Sequence, residues 1–98
     1  MEKNEIGKLP LPNGVVAFTA KWCAPCKIIH NDLNDIKSEF SNITIKEVDV
    51  DKEPDLVKTF SVRSVPTLLF IKDSKLVKTI LGAGNKKHLR KTITELFK

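Results

Sequence analysis

A chain of 98 residues, 41% of them hydrophobic, is long enough for one domain with its own core, so neither a metal nor a disulfide framework is needed to hold it together. Two cysteines are too few for a stapled secreted scaffold, and the longest apolar runs, such as Pro66 to Ile71, are far too short to cross a bilayer. The 17 Lys and Arg against 12 Asp and Glu leave a formal charge of +5, but Lys86, Lys87, Arg90 and Lys91 share a helical pattern with Leu89, Ile93, Leu96 and Phe97, and no aromatic residue stands among the charges to stack bases. That pattern describes a solvated helix face, not a nucleic-acid surface.

The chain opens on polar Met1 to Glu5 with no apolar stretch in signal-peptide position, from which a cytoplasmic location is expected. The first dozen residues, with Pro10 and Pro12, read as an arm or a short edge strand. Gly14 to Ala20 is a continuous apolar run, as in a strand covered on both faces. From Pro25 to Phe40, Cys26, Ile29, Leu33, Ile36 and Phe40 recur at three and four and form one helical stripe. Ile43 to Val50 is rich in β-branched residues and reads as a second strand. Asp51 or Lys52 is expected to cap a short helix from Glu53 to Phe60, with Pro54 in its first turn. Thr67 to Ile71 is a third strand, Asp73-Ser74 a turn, and Lys75 to Leu81 its antiparallel partner. Gly82 to Gly84 breaks the pattern before a last helix, Asn85 to Phe97. The order β-α-β-α-β-β-α predicts one α/β domain over residues 1–98 with a mixed sheet, since crossover helices join parallel strands and a two-residue turn joins antiparallel ones.

Both cysteines fall in Trp22-Cys23-Ala24-Pro25-Cys26-Lys27, between the first strand and the first helix. A disulfide this local closes almost no loop and adds little to stability. Reversible exchange is what the spacing favours. The free N–H groups and dipole of a helix start favour a thiolate at Cys23, which makes it the natural nucleophile. Cys26, one turn further in and on the apolar stripe, is then the resolving thiol. Pro25 sits where it sacrifices no intrahelical bond and stiffens the loop, and Trp22 offers a broad apolar flank to a partner.

This hexapeptide after a buried strand, with Ser64-Val65-Pro66-Thr67 opening the third strand and Gly82-Ala83 following the fourth, resembles the thioredoxin family from about Gly14 to the C-terminus. The resemblance implies a three-layer fold, a mixed central sheet flanked by helices, with the family's N-terminal strand and helix shortened or missing. It implies a protein-disulfide reductase with no bound cofactor, recharged by an NADPH-dependent flavoprotein, thioredoxin reductase, and acting as a monomer on disulfide-containing proteins, with no nucleic acid or membrane partner. It further implies a cis bond before Pro66, with Val65 presenting its N–H and C=O to an extended substrate segment. Trp22, Ala24, Pro25, Gly82 and Ala83 complete the implied substrate rim.

Several positions depart from the family pattern. Ala24 stands where glycine is usual, Thr19 replaces a frequent aromatic residue, and Asn31 replaces a helix-kinking proline. The family's buried aspartate, six residues before the first cysteine, is matched by Ala17, and the lysine near that aspartate by Glu47. His30, four residues after Cys26 and on the same side of the helix, is then the candidate to take the Cys26 proton, with Glu47 orienting it. Other readings use the same residues. A glutaredoxin-like or isomerase-like enzyme would recruit glutathione near Lys21 and Lys27. A zinc site would combine Cys23, Cys26 and His30 with His88 or a carboxylate. A pure docking module would tolerate loss of either cysteine.

Overall fold

A computed structural model describes residues 12–82 and 84–97. The N-terminal arm and Ala83 lie outside the described residues. The elements run β1 (Gly14–Thr19), α1 (Ala24–Lys37), β2 (Thr44–Asp49), α2 (Pro54–Thr59), β3 (Thr67–Lys72), β4 (Lys75–Leu81) and α3 (Lys86–Leu96). They form one four-stranded sheet in the order β2-β1-β3-β4. β1 and β2 are parallel, while β1–β3 and β3–β4 are antiparallel, so the sheet is mixed as the connections require.

The period of two along a strand sorts the core into two layers. Val15 and Ala17 of β1, with Leu68 and Phe70 of β3, pack against Ile29, Leu33 and Ile36 of α1 and Leu89 and Ile93 of α3. Val16, Phe18, Leu69 and Ile71 point the other way, joining Val48 and the partly buried Leu56, Val57, Phe60 and Val62 around α2. The central strands are therefore apolar from Val15 to Phe18 and from Leu68 to Ile71, and helices cover both faces there. On β2, Ile45 joins the α1 layer and Val48 the α2 layer. The same alternation places Glu47, the register partner of Ala17, on the α1 side.

Most boundaries fall within one residue of the sequence reading, and two points differ from it in kind. The first helix ends at Lys37, because Glu39 N–H bonds Ile36 O at 2.8 Å and the Ser38 hydroxyl bonds Asp35 O at 3.1 Å, closing a turn. Phe40 still packs on the core, but from beyond the helix. The cap of α2 is Glu53, not Asp51 or Lys52, and it makes no side-chain cap bond. The Asp51 carboxylate is engaged elsewhere, with Trp22. The β3–β4 turn is the tight one expected, with Asp73 and Ser74 both at positive φ (52° and 65°).

Candidate active site

β1 delivers the chain to the edge of the core at Thr19, and the turn that follows sets Cys23 at the N-cap of α1. Cys23 is extended (φ −97°, ψ 109°), and its Sγ accepts the Cys26 N–H at 3.2 Å. This is the cap position usually filled by a side-chain oxygen, here filled by sulfur. Pro25 occupies the first turn, where its missing donor costs nothing. The two cysteines are joined as a disulfide, with Cα atoms 5.2 Å apart.

Cys23 is less open than its place at a helix start suggests. It is 5% exposed and Cys26 3%, whereas Trp22 is 71% exposed and Ala24 and Pro25 are also exposed. The reason is local packing: the disulfide sits in a small cluster with Ala20, flanked by Val50 and Val65. Val65 O lies 3.8 Å from Cys23 Sγ, and the Val65–Pro66 bond is cis. Neither Val65 N–H nor its C=O takes a backbone hydrogen bond among the described residues. Pro66 is buried, and its carbonyl accepts the Gly82 N–H at 2.9 Å, which ties the end of β4 to the same rim. Gly82 adopts φ +88°, a conformation that favours glycine. An apolar pocket of about 160 Å3 opens beside this rim, with Trp22, Val62 and Val65 among its walls.

Trp22 is held in place although its ring is exposed. Its indole N–H donates to Asp51 Oδ2 at 3.1 Å, and Asp51 N–H in turn donates to Asp49 Oδ1 at 2.9 Å. Sequence reading missed Asp51 as a site residue. A tryptophan near a site calls for an acceptor, but no spacing rule points to one 29 residues away.

On the other side of Cys26, a cleft of about 530 Å3 is lined by Cys26, His30, Glu47 and Asp49, with Lys21 and Lys27 also on its walls. His30 and Glu47 meet there: Nδ1 lies 2.6 Å from Glu47 Oε2, with side chains 51% and 31% exposed. Asn34, one helical turn on, places Nδ2 3.2 Å from His30 Nε2. The i, i+4 spacing from His30 was a signal that would have found Asn34. Among the described residues no group of three or more His, Cys, Asp or Glu is placed to hold a metal ion. His88, the fourth ligand of the zinc reading, is exposed on α3, where its N–H bonds the Asn85 cap.

Residues 4–95 match the Thioredoxin family profile. The thioredoxin of Mycobacterium tuberculosis is 37% identical over 83 residues, covering 84% of this chain and 72% of that protein. The thioredoxin of Chlamydia trachomatis is 37% identical over 81 residues, covering 83% and 79%. Among solved structures, oxidized mitochondrial thioredoxin 3 from Saccharomyces cerevisiae superposes with a TM-score of 0.81 at 32% identity, covering 95% of this chain and 85% of that one. Fasciola hepatica thioredoxin gives 0.80 at 35% identity, covering 95% and 88%.

Proposed function

We propose, from the premise that this chain belongs to the thioredoxin family and is a protein thiol–disulfide oxidoreductase, that it reduces disulfides in extended protein segments with Cys23 as the attacking sulfur and Cys26 as the resolving one. In the reduced protein the Cys23 thiolate keeps the Cys26 N–H as a donor and faces the positive end of α1. A charge at a helix end gains about 0.3–1 kcal/mol when exposed and up to ~2 kcal/mol when partly buried. Since one pKa unit corresponds to about 1.4 kcal/mol, that is enough to raise the thiolate fraction severalfold near neutrality.

The partner segment adds as a strand against Val65, whose free N–H and C=O supply the pairing. Trp22, Ala24, Pro25 and Gly82 form the surface it crosses, and Ala83 follows in sequence. The Cys23 thiolate attacks one partner sulfur, forming a mixed disulfide and expelling the other as a thiolate. Cys26 then loses its proton and attacks Cys23 Sγ, giving the Cys23–Cys26 disulfide and a second partner thiolate. The partner gains two electrons and, from water, two protons.

The electron pair is stored in the two thiols, so no bound cofactor is needed, and one chain supplies every group named. Regeneration requires two electrons from outside, for which the family points to an NADPH-dependent thioredoxin reductase. A reducing compartment, the cytoplasm, suits such a cycle. The observation that carries this reading is the Cys26 N–H to Cys23 Sγ contact, made within 3.8 Å of Val65 O.

Insulin reduction with NADPH and a thioredoxin reductase is the direct test. Turnover is expected there and not with glutathione alone. Cys23→Ser is expected to abolish it, and Cys26→Ser to accumulate a mixed disulfide visible by intact mass. Full activity of Cys23→Ser would overturn the reading. A potential for the couple above about −200 mV would instead favour an isomerase or an oxidant.

A further inference from the structure

Resolution of the mixed disulfide requires Cys26 to lose a proton, and Cys26 opens onto a cleft that Cys23 does not line. The charged and titratable groups facing that cleft are Lys21, Lys27, His30, Glu47 and Asp49. His30 is poorly placed to act directly. With its ring neutral, Nδ1–H donates to Glu47 Oε2 and Nε2 accepts from the Asn34 amide, so both nitrogens are engaged. Nε2 is turned toward Asn34, which lies C-terminal to His30, whereas Cys26 lies one turn N-terminal to it. Glu47 is the reverse case. Only its Oε2 is engaged, and Oε1 takes no hydrogen bond from the described residues. Its neighbour on β1, in register and on the same face, is Ala17, whose methyl group offers no competing donor.

We propose that Glu47 accepts the Cys26 proton across the cleft, through water, and that His30, braced by Asn34, is the positioning residue that holds the carboxylate there. The roles expected from spacing are thereby exchanged. Cys26–SH and the Glu47 carboxylate become the Cys26 thiolate and a carboxylic acid. The thiolate attacks Cys23 Sγ, the Cys23–partner S–S bond breaks and the Cys23–Cys26 bond forms. The electron pair leaves on the partner sulfur, and Glu47 returns its proton to water through the open cleft. This proposal rests on Cys23 attacking first, and its test keeps that step visible.

Single-turnover reaction of the reduced protein with 5,5′-dithiobis(2-nitrobenzoate), followed by stopped flow, releases one aryl thiolate on attack by Cys23 and a second on resolution by Cys26. Glu47→Gln is expected to leave the first release unchanged and slow the second about tenfold to a hundredfold at pH 7, at or below the lower end of the roughly 100-fold to 10,000-fold range for a lost general base, since the proton travels through water. The deficit is expected to shrink as pH rises, because a thiol that ionises unaided no longer needs a base. His30→Ala is expected to slow the second release about threefold to tenfold with the same recovery at high pH, and His30→Gln, which keeps a donor, to restore part of it. A second release in Glu47→Gln that matches the parent from pH 6 to 9, or one slowed equally at every pH, would overturn the proposal. So would a pH-dependent deficit found in Asp49→Asn but not in Glu47→Gln. A first release that persists at the parent rate in Cys23→Ser would instead defeat the Cys23 assignment.

Discussion

Trp22 is an exposed aromatic ring kept in one place by a single hydrogen bond to Asp51. An exposed neutral-to-charged bond of this kind contributes on the order of 1 kcal/mol, so its importance lies in orientation, not in stability. A ring fixed beside Cys23 and Val65 presents a preformed wall to a partner, and fixing it in advance spares the ordering entropy at binding. Asp51→Ala is expected to raise KM for a protein disulfide about twofold to fivefold while leaving the rate with a small aromatic disulfide unchanged. Asp51→Asn, which keeps an acceptor oxygen, is expected to restore KM. Equal loss with both substrates would mean that Asp51 acts on the sulfur chemistry itself. The sequence made Trp22 visible as a candidate but hid its anchor, because Asp51 carries the marks of a helix cap and its bond to Trp22 spans 29 residues. His30 and Glu47 show the opposite balance. Their meeting was legible from helix spacing and strand position, while the division of labour proposed for them depends on which way an imidazole ring is turned, and no pattern of residue types encodes that.

At the level of elements, α1 carries the chemistry and α3 braces it. Asp35 accepts from Lys86 Nζ at 2.8 Å, and Glu39 binds Arg90 through two bonds of 2.7 and 2.9 Å. The hydrogen bond from Lys86 holds the Asp35 carboxyl below its usual 3.8, and that from Arg90 holds Glu39 below its usual 4.5. A carboxylate with a depressed folded-state pKa stabilises the fold above its unfolded pKa and loses that contribution as pH falls through the folded value. Thermal melts of Arg90→Gln are therefore expected to differ most from the parent at pH 6 and to converge with it at pH 3, with the gap at pH 6 narrowing in 1 M salt. A gap that is constant across this range would assign the effect of Arg90 to packing. The strands and helices themselves were legible to within a few residues, since apolar period and turn chemistry agree along most of the chain. What period could not show was where a helix stops. Phe40 continues the apolar stripe in sequence, yet it reaches the core after the Ser38 turn has already closed α1.

At the scale of the whole sheet, the two central strands are sealed on both faces, and that sealing limits where a charged group can stand. Ala17 is fully buried on the α1 face of β1, whereas Glu47, its register partner on β2, lines the open cleft beside Cys26. The proton acceptor proposed above thus stands at the edge of the core and not within it, where ionisation would have to overcome burial. Ala17→Asp restores the carboxylate that the family usually carries, and here it meets both an apolar layer and the charge on Glu47. Desolvation and the neighbouring carboxylate both raise the folded-state pKa of the new group. It is un-ionised in both states at low pH, so its charge penalty begins as pH rises through the unfolded value of about 3.9 and grows until the raised folded value is passed. Urea unfolding of Ala17→Asp is expected to show a loss of about 3 kcal/mol at pH 8, typical of an unpaired buried charge, and a clearly smaller loss at pH 4. Adding Glu47→Gln to the same chain is expected to recover part of the loss at pH 8, because the two positions are adjacent and their effects do not add. Additive losses at pH 8, or a penalty independent of pH, would show that the two carboxylate positions do not compete, and that the charge at Glu47 does not reach across the strand pair to the place Ala17 occupies.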